Sequence, residues 1–232
     1  MSLIVKVAEP TDYADAGRVT AEAYRADDLL RRTDGLIDVD YEARLTDAAR
    51  RAQEAELLVA VDDGQVLGSV TWCPPTSPWR ELATHPDQAE FRMLSVAAAG
   101  RRRGVGRALV KACLDRARAE GMREVLLSSL PQMTAAHALY REFGFVRAPE
   151  LDHSPKPHVQ LWAFPPQTAA VVMCFERGER HASRWCALSL SKGTPPAQTC
   201  HFEDFIQEAA SRCCKRSCAA SSISLCRHSD AR

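Results

Sequence analysis

The 232-residue sequence predicts an α+β fold: one mixed central β-sheet flanked by helices, a single domain with a C-terminal extension. Three observations carry that expectation. Two apolar runs, AELLVAV and QVLGSVTWC, meet at Asp63-Gly64, a strong hairpin signal. Two amphipathic stretches, Val105 to Glu120 and MTAAHALYREFGF, each close on a glycine where a helix stop belongs, Gly121 and Gly144. Short apolar runs stand between and after them without a repeating βαβ pattern.

Taken in order, Leu3 to Val7 alternates into a strand, and Pro10-Thr11-Asp12 opens a helix. Ala16, Val19, Thr20, Ala23 and Tyr24 follow at helical spacing. A second helix is expected from Asp40 towards Arg51, rich in Ala, Arg and Glu. The hairpin comes next, then a proline-rich loop from Pro74 to Gln88. EFRMLSVAAA reads as a strand. The Val105 helix carries Val105, Ala108, Leu109, Ala112, Cys113 and Ala117 along one face. REVLLSSL is a strand, MTAAHALYREFGF a short helix, and HVQLWAF, residues 158 to 164, a last strand. The order is β-α-α-β-β-β-α-β-α-β.

After Phe164 the pattern fails. Pro165 and Pro166 end the strand, and no sustained period follows. Residues 1–165 are read as the domain, and 166–232 as a disordered or non-native tail. Seven of the nine cysteines fall after residue 170. With no C-x-x-C pair among them, a zinc site is not expected. Nothing at the N-terminus reads as an export signal, so no disulfide framework is expected either. No run of eighteen apolar residues is present, so no membrane span is expected. The default reading is a cytoplasmic protein. Thirty basic and thirty acidic side chains cancel, which argues against nucleic acid as a partner.

The stretch GRRRGVGRALVKA, Gly100 to Ala112, is the chemical signal. It fails the P-loop pattern, because Arg107-Ala108 follows Gly106 where Lys-Ser/Thr is needed. It fails the dinucleotide fingerprint, because Leu109 stands at the third glycine position. What remains is R-x-x-G-x-G between a strand and a helix. Glycines let backbone approach a ligand, and first-turn N–H groups then point at it, which suits a pyrophosphate. A solvated basic turn at the start of a surface helix is the other reading.

Arg101-Arg102-Arg103-Gly104-Val105-Gly106 after FRMLSV, together with Ala136, Leu139, Tyr140, Gly144 and Phe145, resembles the GNAT (Gcn5-related) N-acetyltransferases. The resemblance covers residues 3 to 164. One departure is Ala97-Ala98-Ala99-Gly100, where many relatives carry a polar, proline-containing turn.

The resemblance implies acetyl-CoA as co-substrate, lying where strands 90–97 and 124–130 splay apart. It implies that the backbone of Leu94, Ser95 and Val96 pairs with the pantetheine arm. It places the pyrophosphate on the backbone of Arg101, Arg102, Arg103, Gly104, Val105, Gly106, Arg107 and Ala108, with an arginine for the 3′-phosphate. Ala136 would leave room for the cofactor arm. Tyr140 is the implied acid, and simple packing is its alternative reading. Glu90 is the implied base, acting through water, with a solvated strand-edge carboxylate as the alternative.

A backbone N–H near Leu94 would serve the oxyanion, Ser128 and Ser129 could touch ligand, and His137 receives no role. Tyr24, Trp72 and Trp79 are candidates for the acceptor side, and the acidic stretch Glu54 to Asp63 could attract a cationic amine. The implied activity is direct acetyl transfer to a primary amine of a small molecule or peptide. A non-catalytic acyl-CoA-binding module is the alternative. A homodimer is compatible with the family.

Overall fold

A computed structural model describes residues 3–32 and 34–166. The tail expected after residue 165 therefore lies, except for Pro166, outside the described residues.

Strand β1 (Ile4–Val7) leads through a 3-10 turn at Pro10–Asp12 into α1 (Tyr13–Ala26). Helices α2 (Val39–Thr46) and α3 (Ala48–Glu54) precede the hairpin of β2 (Glu56–Asp62) and β3 (Gln65–Cys73). Next come β4 (Gln88–Val96), α4 (Val105–Ala119), β5 (Glu124–Ser129) and α5 (Thr134–Glu142), then β6 (His153–Lys156) and β7 (Val159–Phe164). The sheet order is β1-β2-β3-β4-β5-β7-β6. Every neighbouring pair is antiparallel except β4 and β5.

Alternation along β2 builds the two faces. Leu57 and Val59 pack with Ala16 and Val19 of α1, while Leu58 and Ala60 pack with Val105, Leu109 and Cys113 of α4. Trp72 and Phe91 anchor the α4 side, together with Phe145 and Phe164. The sheet is thus covered on both faces, and each helix buries one apolar stripe.

Two expectations are corrected. The single helix from Asp40 is two helices, because Asp47 leaves helical geometry at ψ 72° and its carboxylate accepts from Arg50 N–H at 3.0 Å, capping α3. A further strand, β6, was not foreseen. His153-Ser154-Pro155-Lys156 lacks the apolar alternation of a strand, and its proline is tolerated only because β6 lies at the sheet edge.

Candidate active site

Strands β4 and β5 pair only at Gln88–Glu124, Ala89–Val125 and Glu90–Leu126. Beyond that point β5 pairs with β7, from Leu127 opposite Phe164 to Ser129 opposite Trp162. The β5-facing backbone edge of β4 from Phe91 to Val96 is left without a strand partner. The two parallel strands therefore separate as the sequence reading expected, and a cavity of about 600 Å³ opens there.

A bulge shapes the cavity wall. Between the pairs Thr71–Arg92 and Ser69–Ser95, β3 advances two residues while β4 advances three. The extra residue falls at Met93, whose φ is +53°. Because the bulge breaks the two-residue alternation, Phe91, Arg92, Met93 and Leu94 all line the cavity. Of the three β4 residues expected to bind the cofactor arm, Leu94 lines the cavity. The Ser95 hydroxyl points elsewhere, bonding to Ser69 Oγ and Thr20 Oγ1, each at 3.2 Å, so only its backbone can serve. Val96 packs towards Gly106.

Tyr140 also lines the cavity, on the α5 face that packs into the core beside Phe91, Phe145 and Phe164. No described residue hydrogen-bonds its hydroxyl, and burial pushes the phenol well above its ordinary value, so it keeps its proton. Ala136, one turn earlier, packs against the same core.

Glu90, the base that the resemblance implies, is absent from the cavity lining. It is fully buried, and its Oε2 accepts from the backbone N–H groups of Glu81, Leu82 and Ala83 at 2.9, 2.8 and 3.2 Å. The alternative expectation, a solvated strand-edge carboxylate, is corrected by that burial: the Glu90 carboxylate ties down the loop before β4. That loop carries a different carboxylate, Glu81, into the cavity. Glu81 Oε1 sits 2.8 Å from Arg92 Nη2, and Oε2 sits 3.3 Å from His153 Nε2. Burial opposes the Arg92 charge, but Glu81 and Glu90 outweigh it and hold the guanidinium more firmly protonated than usual. Sequence reasoning missed Glu81 because nothing local marks a loop carboxylate as inward-facing.

The remaining wall comes from the segment after α1, from α2 and from the β6–β7 hairpin. Asp38 caps α2 through Tyr41 N–H and meets Lys156 Nζ at 2.8 Å across the opening. Burial would raise the Asp38 carboxyl, but Lys156 and the capping bond hold it below the ordinary range. Tyr24 lines the cavity as expected. Trp72 and Trp79 do not: Trp72 is core, with Nε1 donating to Glu120, and Trp79 lies buried under Arg44. Ser128 and Ser129 both line it. The acidic stretch expected to draw an amine is β2 itself, where Glu56 pairs with Arg116 and Asp62 with Arg103.

The glycine loop fits an anion. Gly104, φ +81°, is the N-cap of α4 and offers no side chain to cap it, so the first-turn N–H groups lack a side-chain acceptor. A Cβ at Gly106 would stand 3.2 Å from Leu139 Cδ2, so glycine keeps α4 close to α5. Among the four arginines, Arg101 pairs with Asp27, Arg103 with Asp62 and Arg107 with Glu142. Arg102, exposed and at φ +59°, makes no such pair among the described residues. The loop thus offers an uncapped helix start and an arginine without an ion pair beside a strand edge that β5 has left.

A splayed parallel pair leading into such a helix start defines an acyl-CoA-binding α+β fold. The sequence model of the acetyltransferase (GNAT) family matches residues 22–145. The chain belongs to that family, whose acyl donor is acetyl-CoA.

Among curated relatives, N-acetyltransferase family 8 member 3 of Rattus norvegicus is 36% identical over 92 residues, covering 40% of this chain and 39% of that protein. Mycothiol acetyltransferase of Cellulomonas flavigena is 34% identical over 125 residues, covering 50% and 36%. The chain thus spans under two fifths of either relative's length. A GNAT-family acetyltransferase from Staphylococcus aureus shares the fold at TM-score 0.55 and 11% identity, covering 71% of this chain and 98% of that one. A Salmonella typhimurium protein solved with acetyl-CoA matches at TM-score 0.51 and 19% identity, covering 72% and 94%.

Proposed function

We propose that the chain is an acetyl-CoA-dependent N-acetyltransferase in which a primary amine attacks the thioester directly. One observation carries the reading: the separation of β4 from β5 opens a cavity in which Tyr140 presents an unpartnered hydroxyl. The backbone of Gly104, Val105, Gly106 and Arg107 would hold the pyrophosphate, Arg102 the 3′-phosphate, and the free edge of β4 the pantetheine.

Bound acetyl-CoA supplies an activated acyl carbon and a thiol leaving group near pKa 8.5. Tyr140, protonated, donates towards the sulfur as it departs. A backbone N–H at the Met93 bulge, where the β3–β4 register shifts, would serve the oxyanion. Leu29, Leu30, Pro131 and Leu161 exclude water from the reacting end. Asp38, Glu81 and the tyrosines Tyr24 and Tyr41 border the space left for the acceptor.

The test is amine-dependent release of CoA thiol across a panel of amines and peptide N-termini, with Tyr140→Phe as comparison. Thiol release that needs an amine and falls in the variant supports the enzyme. Acetyl-CoA binding without release under any amine favours the non-catalytic binding module instead.

A further inference from the structure

We propose that Ser129 and His137 form a proton relay that takes the proton of the attacking amine, an inference that rests on the acetyl-transfer reading above. Ser129 ends β5 beyond the point where it leaves β4, and it lines the cavity. Its Oγ lies 3.1 Å from His137 Nε2 on α5. The imidazole is almost fully buried, stacked on Trp162 at 5.4 Å and against Phe164 at 4.9 Å, so the ring has one orientation. The Leu130 carbonyl lies beside the ring and favours its protonated form, against the burial that opposes it. In the tautomer protonated on Nδ1, Nε2 offers its lone pair to the Ser129 hydroxyl, which sets an oxygen acid against a base held by its packing. The other partner of Ser129 is Met133 Sδ at 3.5 Å, a weak acceptor that does not compete.

The carboxylates leave this role open. Glu90 is held by three backbone N–H groups, Glu81 by Arg92 and His153, Asp38 by Lys156, and Asp28 by Arg31. Each acid that lines the cavity is already paired with a cation. The Ser129–His137 pair is a neutral base with its acceptor lone pair directed through one hydroxyl to the cavity.

The proton balance is simple. As the amine nitrogen bonds to the acyl carbon, its N–H becomes acidic. Ser129 Oγ accepts that proton while its own passes to Nε2, so the serine is unchanged and the imidazole becomes cationic. After product leaves, the proton returns through the same hydroxyl to solvent, and solvent restores the proton that Tyr140 gave to the departing sulfur. The charged groups facing the ring favour that return. Arg141 lies on the same helix, and Arg147, ion-paired with Asp152, stands 3.8 Å over the Trp162 ring. Burial first, and then these cations, hold the imidazole below its ordinary value of 6.5, so it is neutral at pH 7 and releases a proton readily.

The test is the pH profile of kcat/KM for the full chain with acetyl-CoA and the best amine. The neutral ring is the active form, so the wild type should lose activity on an acid limb lying below the ordinary histidine value. His137→Gln keeps a polar contact to Ser129 but cannot titrate. It should lose about tenfold or more in kcat, together with that limb, and leave KM for acetyl-CoA within about twofold. Ser129→Ala should show the same kcat loss and Ser129→Thr should recover it, which covers the case of a poorly folded His137 variant. A His137→Gln profile identical to wild type overturns the relay while leaving acetyl transfer intact, as does a Ser129→Ala variant with wild-type kcat. A wild-type chain that binds acetyl-CoA yet transfers to no amine overturns both readings.

Discussion

Glu90 fixes the place of Glu81. The Oε2 of the buried residue accepts the backbone N–H of the cavity residue at 2.9 Å, and those of Leu82 and Ala83 beside it. Three donors converging on one carboxylate oxygen tie the loop to the strand that follows it. Glu90→Ala should therefore cost stability of about 2 kcal/mol, read as a lower denaturant midpoint, and should raise KM for the acceptor as Glu81 drifts. An unchanged midpoint would contradict this role.

Tyr140→Phe removes one hydroxyl from a side chain whose ring stays packed on Phe91, Phe145 and Phe164. It should lower kcat by about tenfold or more with acetyl-CoA affinity kept, since a thiolate is a tolerable leaving group and the acid assists without being indispensable. Because burial raises the phenol's pKa, the acid form survives above pH 10, where an exposed tyrosine would have lost it. The wild-type rate should accordingly show no loss from Tyr140 ionisation up to pH 10, checked by steady-state kinetics with an amine already deprotonated across that range.

Arg102 is predicted to read the 3′-phosphate. Arg102→Ala should weaken acetyl-CoA by about tenfold and the 3′-dephospho form much less, in a calorimetric comparison of the two ligands. Arg107→Ala, which frees a surface pair with Glu142, should show no such contrast. Equal losses for both ligands in Arg102→Ala would remove that assignment.

Gly104 holds φ +81° at the start of α4. Alanine there strains the backbone, at about 1 kcal/mol, and turns the first-turn N–H groups off their aim. Gly104→Ala should therefore lower both the melting temperature and acetyl-CoA affinity, the second more than the strain alone explains.

Cys73 and Cys113 are fully buried, and burial pushes the Cys73 thiol up to about 12 and that of Cys113 well above its ordinary value. Neither is a thiolate at neutral pH. Peptide mapping after mild alkylation of the native chain should find both unmodified, and modified only after denaturant is added.

Much of this architecture is written in local signals. Asp63-Gly64 fixes the hairpin, Gly121 and Gly144 end α4 and α5 with φ of +69° and +80°, and Gly104 opens α4 at φ +81°. Those features depend on neighbours in sequence. What escaped depends on partners far along the chain. The run of cavity-lining residues from Phe91 to Leu94 is set by the bulge at Met93, which no residue type announces. Strand β6 exists because β7 and the sheet edge accept it, not because HSPK favours a strand. Ser129 and His137 are eight residues apart, and only the turn between β5 and α5 brings a strand-end hydroxyl to a buried imidazole.

The most direct measurement is calorimetric titration of acetyl-CoA into the full chain, with ATP and NAD as controls. If β4, α4 and Arg102 form an acyl-CoA cleft, binding should be saturable, with a dissociation constant on the order of micromolar and a clear preference over both controls. Folded protein that binds no acetyl-CoA, or binds ATP equally well, would contradict the account.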